Sequence, residues 1–346
     1  DVRAEFVSLC IEGRSHGVPP LPEGEPRGLP ASGDETTSDE RSEREKRLAR
    51  LYGSYQDVTL HAPAKLNLTL EILGRRADGY HALRSVMVPV ALDDELTFAP
   101  SERFSFACEP ASLENDNLVP RAFAQAGLTG APFAVTLRKR IPVGAGLGGG
   151  SSDAAAVLSA AMSGAFGAVA PRDWIADARA LGSDVPFFLA GGPALVEGTG
   201  ERVTALGSAP PWWAVVLVPP VHVATGPAYG ALAAERDAAP APTRPRAGSA
   251  TLRCGEALQR RDFGTVVATM TNDFEPVVAG AYPQVRMALS ALRDAGAERP
   301  MLSGSGGACF ALAPDERGAR ALALALRPSD GAAVHVVPFA ETPAWR

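Results

Sequence analysis

A glycine-rich run between a predicted strand and a predicted helix constrains the fold of this 346-residue chain more than any other feature. Glycine occupies positions 144, 146, 148, 149 and 150, so several backbone N–H groups can point at one anion. The alanine-rich helix that follows, expected to begin at Ser151 or Ser152, adds the unpaired N–H groups of its first turn. The sequence therefore predicts a phosphate-binding loop. The residues predicted to contact the phosphates are Pro142, Val143, Gly144, Ala145, Gly146, Leu147, Gly148, Gly149, Gly150, Ser151 and Ser152.

This run differs from the familiar phosphate loops. A Walker A loop requires a lysine before its serine, and residues 149–152 contain none. Gly144-x-Gly146-x-x-Gly149 matches a dinucleotide fingerprint, but two helical patterns follow where that motif requires a second strand with an acidic end. The glycine loop of protein kinases lies between two strands. A flexible linker would carry neither a strand nor a helix start beside it. The remaining interpretation of this run is a nucleotide-binding loop of another kind.

Composition and charge argue against several classes of protein. The net charge of −6, without a basic stripe, argues against nucleic acid as the main partner. No apolar stretch reaches about 18 residues, so no membrane span is expected. The four cysteines, at 10, 108, 254 and 309, form no close pair, which is typical of reduced thiols in the cytoplasm. We therefore predict a cytoplasmic protein.

We expect a disordered extension followed by two domains. Residues 1–54 combine a Pro- and Gly-rich stretch with a dense run of mixed charge, and they lack apolar periodicity. The first domain, residues 55–210, opens with alternating apolar residues over 58–73 and a hairpin turn at Asp78-Gly79. The second domain, residues 211–346, opens with an apolar strand over 212–218. An insertion at 239–249 is predicted to be a surface loop.

The order of the predicted elements indicates an α+β fold, because strands precede helices and hairpins connect them. In the first domain, further strands are predicted over 83–90, 95–98, 104–107 and 133–139, and helices over 118–126, 153–163 and 172–181. In the second domain, helices are predicted over 252–260, from 266 onward, over 283–294 and over 316–326. Its remaining strands are predicted over 301–302, 308–312 and 332–339.

Lys65 and Asn67 project from one face of the first predicted strand. Only three of the 33 basic residues are lysines, at positions 46, 65 and 139. A lysine inside a strand therefore hints that a compact ammonium group with an adjustable pKa is required there. The pair could present a cation and an amide to one ligand, and a solvated strand face is the alternative.

Asp184 lies between a predicted helix end and the apolar run over 185–188. A buried carboxylate requires a cation, and Lys65 is the available candidate. A turn or helix-stop aspartate is the alternative. Asp153, in the first turn of the predicted helix, is explained by the helix dipole alone.

Tyr80 and His81 follow the predicted hairpin turn. They could offer an aromatic face and an imidazole hydrogen bond to a nucleobase or another planar group. Both residue types are also common at the edges of turns, so the pair alone is a weak signal.

Three motifs, taken in chain order, resemble those of the GHMP kinase superfamily. They are residues 62–67 (Ala-Pro-Ala-Lys-Leu-Asn), residues 142–152, and residues 302–309 (Leu-Ser-Gly-Ser-Gly-Gly-Ala-Cys). The resemblance covers the chain from about residue 57 to its end, apart from the insertion. Residues 78–81 and 182–186 are further similar to the member that phosphorylates a cytidyl-diphosphate sugar alcohol in the non-mevalonate isoprenoid pathway.

The resemblance implies a two-domain architecture with the active site in the cleft between the domains. The N-terminal, ATP-binding domain would be like domain 2 of ribosomal protein S5, and the C-terminal domain would be ferredoxin-like. The cofactors implied are ATP and, as its expected companion, Mg²⁺. The implied partner is a small-molecule substrate, with neither nucleic acid nor membrane, and the chain would be a monomer or a weak homodimer.

Roles for individual residues are also implied by the resemblance. The loop over 142–152 would wrap the ATP phosphates, and Asp184 would act as base on the substrate hydroxyl with Lys65 beside it. Asn67, together with Asp184, would contact the substrate. Tyr80 and His81 would hold its cytosine. The turn over 303–307 would border the cleft.

Three other functions remain open. Another small-molecule kinase of the superfamily, of the homoserine or mevalonate type, is the main alternative. A non-catalytic binding module is a second, and it would be expected to lack Lys65, Asp184 or the glycines, all of which are present. A nicotinamide-dependent dehydrogenase is the third.

Overall fold

A computed structural model describes residues 58–75, 81–130, 132–166, 169–238 and 249–340. The predicted extension over 1–54, the hairpin turn with Tyr80, and residues 239–248 of the insertion lie outside the described residues.

Strands were found at Val58–Asn67 (β1), Thr69–Arg75 (β2), His81–Pro100 (β3), Ser105–Glu109 (β4), Phe133–Arg138 (β5), Ala194–Gly198 (β6), Arg202–Ala205 (β7), Trp213–Val218 (β8), Thr271–Asn272 (β9), Met301–Leu302 (β10), Cys309–Ala313 (β11) and Ala333–Pro338 (β12). Helices were found at Leu118–Gln125 (α1), Gly149–Met162 (α2), Trp174–Leu181 (α3), Val185–Leu189 (α4), Thr225–Ala238 (α5), Ala250–Gln259 (α6), Phe263–Thr269 (α7), Glu275–Ala281 (α8), Pro283–Asp294 (α9) and Glu316–Ala325 (α10).

The larger sheet is organised around the 20-residue strand β3. β3 pairs antiparallel with β1, β2, β5 and β6 along its length. β7 pairs with β6, while β4 and β9 add parallel pairs to β5 and β2. The mostly antiparallel pairing agrees with the predicted α+β class.

Helix α2 is the central helix of the first domain and is buried on nearly every side. Its buried residues are mostly small, with alanine at 154, 155, 160 and 161. Small side chains let neighbouring elements approach closely, so α2 packs against β1, α1, α3 and α4 at once. This packing fixes the start of α2, and with it the glycine-rich run, relative to β1.

The smaller sheet has the strand order β10-β11-β8-β12, all antiparallel. Helices α9 and α10 pack against it. A separate apolar cluster contains residues from both sheets, among them Leu66 and Val88 from the larger sheet and Val216 and Phe310 from the smaller one. Burial of this shared cluster holds the two sheets against each other and thereby defines the cleft between the domains.

Several predicted boundaries require correction. β3 is a single strand through 81–100, where two separate strands were predicted. α2 begins at Gly149, two residues before the predicted start, and the apolar run after Asp184 is the short helix α4. β6, β7, β9 and α5 were not predicted, and the helix predicted from 266 onward is divided by β9 into α7 and α8. No helix within the described ranges is both long and apolar enough to cross a membrane.

Candidate active site

The glycine-rich run connects β5 to α2 as a loop with three left-handed residues. Gly144, Gly146 and Gly148 have φ of 68°, 83° and 74°. Gly148 is the N-cap of α2, so the free N–H groups of the first turn point towards the loop. Backbone donors and the positive end of a helix thus face the same space, as an anion site requires.

A cavity of about 390 Å³ lies between this loop and the segment over 112–118. Its lining includes the loop as far as Ser151, together with Lys139 and Asp153. Ser152 was predicted to contact the phosphates, but it is 2 % exposed and is not among the residues that line the cavity. A volume of this size is typical of small-ligand sites.

The segment over 112–118 and Lys139 were not predicted as site residues. The available signal was the Asn-Asp-Asn turn at 115–117. Asn117 caps α1 by accepting a hydrogen bond from the Val119 N–H at 2.9 Å. This cap fixes the wall of the cavity opposite the loop.

Beneath the loop lies a buried cluster of one lysine and two aspartates. Lys139 Nζ donates to Asp94 Oδ2 and, at 2.7 Å, to Asp153 Oδ2. Asp94 Oδ1 also accepts the backbone N–H groups of Arg140 and Ile141, at 2.5 and 2.8 Å. Burial raises the pKa of Asp153 to about 7, with Lys139 acting in the opposite direction. The helix dipole is therefore not the whole explanation of Asp153, because the cluster holds the start of the loop in place.

Lys65 and Asp184 come together beside the loop, as the sequence analysis expected. Lys65 Nζ lies 3.6 Å from Asp184 Oδ2. The Lys65 side chain is 4 % exposed, so the solvated-face alternative is wrong, whereas Asp184 is 29 % exposed rather than enclosed. Asp184 is the N-cap of α4 but makes no capping hydrogen bond with its side chain. Its carboxylate therefore stays available to a ligand in the cleft.

A chain of buried polar groups orients the Lys65 ammonium. Lys65 Nζ donates to Asn67 Oδ1 at 2.5 Å, and Asn67 Nδ2 donates to Ser85 Oγ at 2.9 Å. Ser85 Oγ in turn donates to the Thr69 carbonyl. Both polar atoms of the Asn67 side chain are thus hydrogen-bonded within the protein, and Asn67 is 1 % exposed. This geometry supports a role for Asn67 in orienting Lys65.

The turn over 303–307 contacts the phosphate-binding loop, and the loop is in turn bonded to Lys65. The Ala308 N–H donates to the Ala145 carbonyl at 2.9 Å, and Ser303 Oγ donates to the Gly146 carbonyl at 3.2 Å. The Lys65 N–H donates to the Leu147 carbonyl at 2.9 Å. The cleft is therefore bordered by this turn, as the resemblance implied.

An aromatic pair joins the start of β3 to α5. The rings of His81, at the start of β3, and Tyr229, on α5, have centroids 5.1 Å apart. Burial raises the pKa of Tyr229, and the negative charge of Asp184 acts in the same direction. Tyr229 was not predicted, because no local pattern distinguishes it from an ordinary core residue. Tyr80 lies outside the part of the chain that the structure describes.

Two family models match the chain. The GHMP kinases N terminal domain matches residues 117–192, and the GHMP kinases C terminal domain matches residues 256–332. The two-domain GHMP kinase architecture is thereby confirmed, while the exact boundary at 210–211 stays a prediction.

Curated relatives match over most of their length. A 4-diphosphocytidyl-2-C-methyl-D-erythritol kinase of Symbiobacterium thermophilum is 40 % identical over 278 residues, which cover 78 % of this chain and 96 % of that protein. The enzyme of the same name from Deinococcus radiodurans is 42 % identical over 273 residues, covering 77 % and 87 %.

Solved structures show the same fold. A crystal structure of 4-(cytidine 5′-diphospho)-2C-methyl-D-erythritol kinase matches with a TM-score of 0.63 and 35 % identity, covering 81 % of this chain and 99 % of that one. Homoserine kinase from Cytophaga hutchinsonii matches with a TM-score of 0.61 and 20 % identity, covering 84 % and 97 %. The latter likeness concerns the fold alone.

Proposed function

The chain belongs to the family of 4-diphosphocytidyl-2-C-methyl-D-erythritol kinases, and from this premise we propose how its site performs ATP-dependent phosphorylation. The acceptor is the 2-hydroxyl of 4-diphosphocytidyl-2-C-methyl-D-erythritol, and the reaction is a step of the non-mevalonate isoprenoid pathway. The observation that carries the proposal is the Lys65–Asp184 pair, which lies beside the phosphate-binding loop and opens to the cleft.

The loop over 142–152 is proposed to hold the ATP phosphates. Its left-handed glycines and the N-terminus of α2 supply backbone N–H groups, which stabilise charge without reorganisation during the reaction. The adjoining cavity, with the segment over 112–118 as its far wall, accommodates the nucleoside. Phosphoryl transfer depends mainly on such positioning and charge stabilisation.

Asp184 is proposed as the base. Its carboxylate accepts the proton of the acceptor hydroxyl while the hydroxyl oxygen attacks the γ-phosphorus, and the bond to the β–γ bridging oxygen breaks to release ADP. The Lys65 ammonium, 3.6 Å from Asp184, stabilises negative charge on the attacking oxygen. Lys65 is itself held by Asn67, so its direction is fixed before substrate binds.

Magnesium is expected to accompany ATP. Within the described residues, no three His, Cys, Asp or Glu side chains are grouped to hold a metal ion. This fits Mg²⁺, which proteins commonly bind through one or two carboxylates together with substrate phosphates. Asp153 and the Ser151 hydroxyl line the cavity beside the loop and could join such a shell. When bound, the ion would neutralise phosphate charge.

The cytosine of the acceptor is proposed to stack in the cleft beside His81 and Tyr229, with Tyr80 contributing from outside the described residues. Phe274 supports Tyr229 from behind, with ring centroids 4.7 Å apart. A planar base needs such a flat apolar surface, and the imidazole of His81 can add a hydrogen bond to the base edge.

Replacement of Tyr229 by alanine is expected to raise the KM for the acceptor about fivefold or more, because stacking of a base on an aromatic ring contributes roughly 1–3 kcal/mol. Turnover at saturation should change little, since Tyr229 takes no part in the proton transfer. Tyr229→Phe keeps the ring and is the matched control, with a KM close to that of the wild type. Steady-state kinetics with varied acceptor measure both effects. An unchanged KM in Tyr229→Ala would place the cytosine elsewhere.

An acceptor panel tests the function itself. Release of ADP is measured with the cytidyl-diphosphate acceptor, homoserine or mevalonate in separate reactions. We expect rapid ADP release with the first alone. Faster release with homoserine or mevalonate would transfer the assignment to the alternative kinase type, and a fluorescence change on titration with a nicotinamide cofactor would favour the dehydrogenase.

The proposal includes a cytoplasmic location and a monomer or weak homodimer. Cys108, Cys254 and Cys309 are buried free thiols, which accords with a reducing compartment. Burial raises the pKa of Cys309, so this thiol is suited to packing and not to nucleophilic attack.

A further inference from the structure

A short segment, Thr271–Glu275, contacts both sheets at the junction of the two domains. Its first two residues form β9, which pairs in parallel with β2 of the larger sheet. The Ile72 N–H of β2 donates to Asp273 Oδ2 at 2.7 Å. On the opposite side, the Leu302 N–H of β10 donates to Glu275 Oε2 at 2.9 Å. The segment therefore sets the distance between β2 and the strand that leads into the 303–307 turn.

Asn272 is the buried residue of this segment that reaches the turn itself. Its Nδ2 donates to the carbonyls of Leu302 and Gly304, at 2.8 Å each. Its Oδ1 accepts the Phe274 N–H at 2.9 Å. Asn272 is 5 % exposed, so losing these bonds would leave buried carbonyls without a donor.

Gly304 is where the turn meets the catalytic lysine. It has φ of 61°, and a Cβ added there would lie 3.2 Å from Lys65 Nζ and 3.1 Å from the Gly146 carbonyl oxygen. A small displacement of Gly304 would therefore press on the Lys65 ammonium and on the phosphate-binding loop together.

We propose that Asn272 is a positioning residue for phosphoryl transfer, which acts by fixing the 303–307 turn against Lys65 and the phosphate-binding loop. Asn272 acts through the carbonyls of the turn and contributes no proton or charge to the reaction. The inference rests on the proposed function, since its effect is on the Lys65–Asp184 pair. It predicts that turnover falls while substrate affinities persist.

The test uses two substitutions and a matched control in the full chain. Asn272→Ala removes all three bonds, whereas Asn272→Asp keeps the volume and the acceptor but loses both donors. We expect kcat to fall at least about tenfold in both, because misplacement of a reacting group by about 1 Å can cost 100-fold. The KM values for ATP and for the acceptor should stay within about threefold. Arg299→Ala is the control, because Arg299 Nε donates to the Met270 carbonyl of the same region at 3.0 Å without reaching the turn.

The outcomes separate positioning from general stability. A kcat equal to that of the wild type in folded Asn272→Ala would overturn the inference. It would also be overturned if Arg299→Ala lowered both Tm and kcat as much as Asn272→Ala does. If neither Asn272 variant folds, Asn272→Ser decides, since its single hydroxyl hydrogen cannot replace both donor bonds to the carbonyls of the turn. A selective loss of kcat there supports the inference and wild-type kcat overturns it. An inactive wild-type chain in the same assay would instead refute the proposed function.

Discussion

Asp184→Asn is expected to lower kcat at least about a hundredfold, the effect typical of removing a general base. The amide has nearly the same shape but cannot accept the hydroxyl proton, and it loses the charge that faces Lys65 3.6 Å away. ATP binding should persist, because the loop over 142–152 does not depend on this carboxylate. Turnover with the cytidyl-diphosphate acceptor and ATP affinity by calorimetry measure the two properties separately.

Substitution of Lys65 is also expected to lower kcat, and Lys65→Arg tests whether a positive charge alone is sufficient. Lys65→Ala is expected to lose kcat at least about a hundredfold, and Lys65→Arg should fail to restore it. The guanidinium is larger than the ammonium that donates to Asn67, and its pKa hardly changes on burial. Near-normal turnover in Asp184→Asn or Lys65→Ala would refute the assignment of the base.

The second large effect is expected where the two glycine segments meet. A Cβ on Gly146 would overlap the Ser303 carbonyl oxygen and lie 2.9 Å from the Gly306 nitrogen, and Gly146 also has a positive φ. Gly146→Ala should therefore separate the 303–307 turn from the phosphate-binding loop. We expect kcat/KM for ATP to fall at least about a hundredfold, since both the loop and Lys65 are displaced.

Gly306→Ala approaches the same contact from the other side and should give the same defect, because its Cβ would overlap the Gly146 nitrogen and the Ala145 carbonyl. Gly280→Ala is the control. Gly280 lies in α8, has no positive φ, and a Cβ there meets nothing within 4 Å. Steady-state kinetics with varied ATP measure kcat/KM for all three variants. Wild-type kcat/KM in Gly146→Ala would show that the contact between the segments does not shape the ATP site.

The parts of the site that could be predicted depend on local patterns. Alternation of apolar residues identified β1, and the glycine spacing identified the loop, because backbone freedom is a property of the residue itself. The Lys65–Asp184 contact was predicted from the cost of an unpaired buried charge, although Asp184 proved more exposed than expected. Scarcity of lysine also pointed to Lys65, and the same signal applied to Lys139.

The parts that could not be predicted depend on partners distant in sequence. β3 continues through Asp93 and Asp94, where polar residues interrupt the alternation, because Asp94 is paired with Lys139 in the folded chain. α5 contains two glycines and a proline, which hide its helical pattern and with it Tyr229. α2 includes Gly149 and Gly150 because packing of the helix outweighs their low propensity.

The position of the transferred phosphate tests the central claim most directly. Carbon 2 of the acceptor carries both the methyl group and the hydroxyl, so it bears no hydrogen. A phosphate on that oxygen should give a phosphomonoester singlet in the proton-coupled ³¹P NMR spectrum, together with the signals of ADP. We expect that singlet with the wild-type chain, and with Asp184→Asn we expect it to grow at least about a hundredfold more slowly. A doublet or triplet for the new phosphomonoester, or no new signal from the wild-type chain, would contradict the account.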